Sequence, residues 1–259
     1  MEPRGLLTSR LLANGIARIP EPLGQFRAAN WAYRAYVRRS GGRVHSKLRD
    51  GAEFELDLSE WPQAQAFLRN TYDPETVDFV VSHLGNGGVF FDVGAHIGLV
   101  SFQVLRRAPF TTIHAFEPRL ATASDFKLNA TFNPGNVTLN ECGLSAAAGE
   151  LRFNPATHSI NPAGEVVVPV ITLDGYLGQH GIETVDVMKV DVEGHEASVL
   201  EGATAALGDH RIRAITMEQM DAHGDTSRAA QLLKDAGYKE VGGPWLPDNV
   251  AWLAPARKP

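Results

Sequence analysis

Val89-Phe90-Phe91-Asp92-Val93-Gly94-Ala95-His96-Ile97-Gly98 is an apolar run that breaks into a carboxylate and glycines. Farther along, Val187-Met188-Lys189-Val190-Asp191-Val192-Glu193-Gly194-His195-Glu196 repeats the form. Each reads as a buried strand that opens into a loop at its C-terminal end. In an open α/β sheet, ligands bind outside the carboxyl ends of the strands, in the crevice where strand order reverses. If these two strands flank that crevice, the first supplies a cofactor loop and the second supplies chemistry.

Outward from them the chain alternates strand and helix. Apolar strands are expected at 89–93, 112–116, 137–139, 185–190 and 214–217, with helices at 99–107, 121–132, 196–207 and 227–236. Strands covered on both faces by crossover helices read as near-continuous apolar runs, as these do. Residues 150–170 differ: Phe153, Val166, Val168 and Val170 suggest a β-insertion with a loop over 154–164. Two short strands at 238–241 and 250–253, either side of a turn opening with Gly242-Gly243-Pro244, must pair antiparallel. Upstream, 26–39 reads as a helix stopped by Gly41-Gly42, and 44–58 as a hairpin around Asp50-Gly51. A further helix is expected from Pro74 to Leu84. The predicted fold is a Rossmann-like, seven-stranded, mostly parallel sheet whose last hairpin is antiparallel. It carries a helical extension at 1–47, a hairpin and helix at 48–85, and a catalytic domain at 86–259.

With 259 residues, 44% hydrophobic and 21% charged, the chain can bury a full core. No apolar run approaches the ~20 residues of a membrane-spanning helix, and the first 20 residues resemble neither signal peptide nor anchor. The single cysteine, Cys142, suits a reducing cytoplasm. The net charge of −6 is uneven, because residues 1–50 hold ten Lys/Arg against three Asp/Glu and the rest 14 against 27. The N-terminal arginines could form a basic arm for an anionic substrate, membrane surface or partner, but their scatter favours a helical extension whose arginines face water or the acidic body. The acidic remainder argues against a nucleic-acid substrate.

Gly94 and Gly98 take the outer places of a G-x-G-x-G loop, with His96 in the middle. Glu117, after the second strand, can accept both ribose hydroxyls of an adenosine. A diphosphate wants glycine where His96 stands, whereas S-adenosylmethionine (SAM) has no phosphate. Asp92 can hold the ammonium group of that cofactor, directly or through water. On the other strand Lys189, Asp191 and Glu193 share one face. Lys189 would orient Asp191, and Asp191 or Glu193 would lie near the acceptor hydroxyl. Asp191 and His195 are the candidate general bases, His195 for its pKa range. No metal is expected, although Asp191, Glu193 and Glu218 leave Mg²⁺ open as an option.

These residues together resemble the FkbM-type SAM-dependent methyltransferases. The resemblance rests on Asp92–Gly98, Glu117-Pro118, Asn129, Thr172-Leu173-Asp174, and the full run 189–196 continuing through Leu200, Gly202 and Ala203. Glu218 and Tyr72-Asp73-Pro74-Glu75 extend it, with Asp73 a departure. It covers 48–218. It implies that Tyr72, Asp92, Gly94, Ala95, His96, Gly98, Glu117, Pro118, Asn129 and Asp191 bind the cofactor, with Lys189, Asp191, Glu193 and His195 at the reaction. It also implies O-methylation of a small-molecule hydroxyl, on a sugar, glycoside or polyketide-type natural product. A nicotinamide-dependent oxidoreductase and a non-catalytic SAM-binding module are the competing readings. No nucleic-acid partner or membrane span is expected, and a homo-oligomer is left open.

Overall fold

The computed structural model describes residues 4–20, 24–38, 42–85, 87–154, 159–160, 164–218, 225–241 and 249–256. They fall into two compact units, 1–74 with 128–134, and 75–127 with 135–259.

The first unit contains α1 (Arg4–Ile16), α2 (Gln25–Ala32) continuing as a π-helical turn over Tyr33–Val37, and α3 (Trp61–Arg69). Its hairpin pairs β1 (Arg43–Lys47) with β2 (Glu53–Asp57), Val44 opposite Leu56. Asp50 Oδ1 accepts from the Ala52 N–H at 3.0 Å, and Gly51 takes φ 93°, which is why Asp-Gly makes this turn. Phe54 and Leu56 are buried while their neighbours are partly open, the period-two pattern of a half-buried strand. The outer edge of β2 is met by buried asparagines. Glu53 N–H donates to Asn133 Oδ1 at 3.0 Å, and Glu55 N–H to Asn129 Oδ1 at 2.8 Å.

The second unit opens with α4 (Pro74–Leu84) and holds the seven-stranded sheet, ordered β12-β13-β11-β10-β3-β4-β5. Strands β3 (Val89–Val93), β4 (Thr112–Phe116), β5 (Val137–Asn140), β10 (Val185–Val190) and β11 (Ile212–Glu218) run parallel. Strand β13 (Asn249–Leu253) is antiparallel to both β11 and β12 (Lys239–Val241). The chain lays down β3, β4 and β5 outward, then returns to place β10 on the other side of β3. Order reverses between β3 and β10, where a ligand crevice belongs. The connecting helices include α5 (Leu99–Arg107), α6 (Leu120–Phe132), α7 (Leu173–His180) and α10 (Asp225–Asp235). Phe91, Phe116, Tyr176, Met188, Ile215 and Trp252 are among the core side chains, each 3% exposed or less.

The β-insertion is a separate four-stranded sheet ordered β6-β9-β7-β8, built from β6 (Gly143–Leu144), β7 (Gly149–Asn154), β8 (Ser159–Ile160) and β9 (Val166–Ile171). Most of the loop expected at 154–164 and the turn at 242–244 lie outside the described residues. The helix expected over 196–207 is instead two, α8 (Glu196–Glu201) and α9 (Thr204–Gly208). Gly202 lies so close to β6 that a Cβ there would stand 2.1 Å from the Ser145 carbonyl oxygen. The second helix is capped from outside, because Asp174 accepts from the N–H groups of Ala205 and Ala206, both at 2.8 Å. Thr172 Oγ1 in turn accepts from Gly175 N–H and caps α7. No helix among the described residues is long and apolar enough to cross a membrane.

Asp174 therefore serves the fold rather than the crevice. Asp174→Ala should lower the unfolding free energy by ~1–2 kcal/mol in chemical denaturation, leaving ligand affinity unchanged at temperatures where the variant stays folded.

Candidate active site

At the end of β3 the backbone turns through Gly94 at φ 78°, His96 at 53° and Gly98 at 89°. A Cβ on Gly94 would stand 1.8 Å from the Asp191 carbonyl oxygen, and one on Gly98 would strike the Phe102 ring at 2.3 Å. Both positions thus require glycine. The N–H groups of Gly94 and Ala95 donate to the Phe116 carbonyl, each at 3.0 Å, locking the loop onto β4. His96, a side-chain-bearing residue held in the left-handed region, marks a loop fixed by its surroundings. Its N–H donates to Glu117 Oε2 at 3.1 Å. Glu117 Oε1 accepts from Arg119 N–H at 3.0 Å and lies 3.3 Å from Arg119 Nε. The Arg119 guanidinium also covers the Phe153 ring of β7 at 5.4 Å.

Asp92 is fully buried. Its Oδ2 accepts from the Ser101 hydroxyl at 2.6 Å, and its Oδ1 lies 3.3 Å from Lys189 Nζ. That ammonium, itself buried, also lies 3.1 Å from Asp191 Oδ2 and donates to the Gly94 carbonyl at 3.3 Å. Lys189 therefore joins the two strand ends the sequence singled out. Asp92 is an internal anchor of the loop rather than a solvent-facing carboxylate.

Beyond Asp191 the chain turns sharply, with Glu193 at φ 55° and Gly194 at 89°. Glu196 holds this turn, its Oε1 accepting from the N–H groups of Val192 and Gly194 at 3.2 Å each. Burial raises the Glu196 carboxyl above the ordinary range against the pull of those amides. His195 stands at the start of α8, with Nε2 3.0 Å from the Ser145 hydroxyl. One carboxylate oxygen from each of Asp191, Glu193 and Glu218 lies within 4.8 Å of the others. Such acidic groups commonly occur without an ion, and no metal is assigned here. Partial loss of solvent, then the charges of Asp191 and Glu196, raises Glu193, although the residue is exposed at the surface. Burial, then Asp191, Glu193 and Glu196, pushes Glu218 up to about 8.

The second unit thus brings together Asp92, Gly94, Ala95, His96, Gly98, Glu117, Pro118, Lys189, Asp191, Glu193 and His195. Tyr72 and Asn129 belong to the first unit, where the Asn129 amide oxygen is engaged with β2. Four participants escaped the sequence reading in these roles: Ser101, Arg119, Ser145 and Glu196. Arg119 directly follows Glu117-Pro118, and Glu196 sits where a helix-start carboxylate can reach back, so both had a local signal. Ser145 had none, since it reaches His195 only through the pairing of β6 with β9.

The family model described as the methyltransferase FkbM domain matches residues 92–240, more than half the chain. The chain is 30% identical over 141 residues to the hexuronic acid methyltransferase AglP of Haloferax volcanii, covering 52% of this chain and 58% of that one. This match spans less than two thirds of that relative's length. Identity is 28% over 222 residues to methyltransferase 1 of Beauveria bassiana, covering 74% and 86%. To the 31-O-demethyl-FK506 methyltransferase FkbM of Streptomyces tacrolimicus it is 26% over 193 residues, covering 60% and 74%. Every strand-end element of the crevice from Asp92 to Glu218 falls inside the matched span, and the chain belongs to the FkbM methyltransferase domain family.

Proposed function

We propose that this protein transfers a methyl group from SAM to a hydroxyl of a small molecule, a sugar, glycoside or polyketide-type acceptor, in a reducing cytoplasm. The observation that carries the reading is the Lys189 ammonium, which fixes the Gly94 loop and Asp191 against one another at the reversal point of the sheet. The residues fit that cofactor in three respects. The loop is a backbone cradle that side chains at 94 and 98 would fill. Glu117 stands at the end of the neighbouring strand, where its oxygens can accept ribose hydroxyls. The surrounding charge is acidic, with an enclosed Glu218 Oε2 that has no partner among the described residues, which suits a cationic ligand. The names of two relatives, one for hexuronic acid and one for 31-O-demethyl-FK506, support an oxygenated acceptor.

The bound cofactor would supply a methyl group on a positively charged sulfur. What remains for the protein is alignment and removal of a proton. Aligning the reacting atoms can supply ~7–11 kcal/mol of the barrier. The loop held by Phe116 and Lys189 gives one rigid side of that geometry, and the turn held by Glu196 gives the other. A general base contributes a further ~10²–10⁴-fold. Asp191 is pre-oriented by Lys189, and the His195 ring is steadied by Ser145, so both candidates stand on fixed supports. The four-stranded insertion, outside the cofactor loop, is a natural wall for the acceptor.

Calorimetric titration should show that wild type binds SAM and that Glu117→Ala weakens binding at least tenfold, about 1.4 kcal/mol. Equal affinity in the two proteins would remove Glu117 from the cofactor site. Asp191→Asn should lower turnover more than it lowers SAM affinity. Steady-state kinetics alongside calorimetry checks this, and equal losses would contradict the division of roles. Failure of the SAM-loaded protein to methylate any glycoside or polyketide hydroxyl, despite tight binding, would favour the non-catalytic module.

A further inference from the structure

Among the described residues, six carboxylates and two cations surround the C-terminal ends of β3, β4, β10 and β11. Most have assigned partners. Lys189 lies between Asp92 and Asp191 at 3.3 and 3.1 Å, Arg119 holds Glu117, and Glu196 is taken by two amides. Glu193 and Glu218 remain, and an oxygen of each lies within 4.8 Å of the other and of an Asp191 oxygen. Glu218 Oε2 is enclosed and has no hydrogen-bond partner among the described residues. Like charges so close, one of them shielded from water, favour a proton held between Glu193 and Glu218.

We infer that Glu193 and Glu218, facing the Asp191 carboxylate, share a proton in the free protein and release it to solvent when the cationic methyl donor enters. This rests on the SAM reading above. The charge balance around the cluster supports it. Burial and the charges of Asp191, Glu193 and Glu196 hold the Glu218 carboxyl up to about 8, and Lys189 only partly opposes them. Partial burial, then Asp191 and Glu196, raises Glu193 against Arg119 and Lys189. A unit positive charge within ~8 Å, at an effective dielectric of ~20, makes such a carboxyl roughly 30-fold stronger as an acid. SAM carries a net positive charge through its sulfonium, and S-adenosylhomocysteine does not. The cluster thus becomes a proton acceptor only when a methyl group is present to be transferred.

The test is calorimetric titration of the full chain with SAM at pH 7, with a chelator present, in buffers of different ionisation enthalpy. The dependence of apparent enthalpy on buffer should report release of about 0.5–1 proton, and S-adenosylhomocysteine should release less than half as much. Glu218→Gln should bind SAM with release near zero, and Glu193→Gln with reduced release. Below about pH 8 the free cluster holds the proton that binding must expel. SAM affinity should therefore rise with pH from 6 to 8, by up to tenfold per unit, and level off above. SAM binding without proton release in wild type, or with undiminished release in Glu218→Gln, overturns the inference while leaving the cofactor assignment intact.

Absence of SAM binding overturns the cofactor assignment, and the shared proton is then read in the free protein. A carboxyl raised on folding binds an extra proton between its unfolded value near 4.5 and about 8, so stability falls as pH rises through that window. Wild type and Glu218→Gln should have similar denaturation midpoints near pH 4.5 relative to a gap above pH 8, where the variant is the more stable. Parallel pH profiles for the two proteins overturn the shared proton.

Discussion

The buried ammonium of Lys189 is the constraint on which the crevice depends. It meets the carboxylates of Asp92 and Asp191 and the carbonyl of Gly94, so it joins the ends of two neighbouring parallel strands. Burying a cation costs several kcal/mol unless anions accompany it, and removing one partner of such a set typically costs ~3–5 kcal/mol. The arrangement therefore holds as a whole or not at all. It explains why Asp92 has no exposure and why the loop after it can be tight. It also explains why Gly94 tolerates no side chain against the Asp191 carbonyl.

From that centre the remaining supports follow in order. Ser101, one turn into α5, fixes the other oxygen of Asp92. Phe116 at the end of β4 fixes the backbone of Gly94 and Ala95, and Glu117 next to it fixes His96. On the far side Glu196 reaches back to hold the turn that carries Glu193. Two side-chain-bearing residues, His96 and Glu193, sit at positive φ in these turns. Strain of that kind persists where surrounding contacts over-determine the backbone, and both residues border the crevice.

Much of this was legible in the chain. Strands such as Val89–Val93 and Val185–Val190 are continuous apolar runs with abrupt polar ends, and no other element competes for such a pattern. Pro74–Leu84 carried both a proline start and helical spacing. Helix Trp61–Arg69 was invisible because its buried face includes Gln63, Gln65 and Arg69, which bond one another or the backbone and mask the period. The break at Gly202 was hidden because a glycine inside a helical pattern is usually tolerated, and only the approach of Ser145 forces it. In the site, carboxylates and glycines at strand ends announced themselves. The partners that orient them, Ser145 above all, come from distant strands whose pairing no local signal records. Asn129 shows the converse, since a residue picked out by resemblance has its amide oxygen engaged with the backbone of β2.

The guanidinium of Arg119 lies over the Phe153 ring of the inserted sheet while bonding Glu117 beside the Gly94–Gly98 loop. The inserted sheet is therefore not an interchangeable module. Exchanging it for another relative's to broaden the range of acceptors would remove the aromatic cover of Arg119 and loosen Glu117 with it. Under the proposed function, changes made for the acceptor would then alter the grip on the methyl donor, and successful chimeras would have to carry an aromatic residue at position 153 along with whatever new wall they introduce.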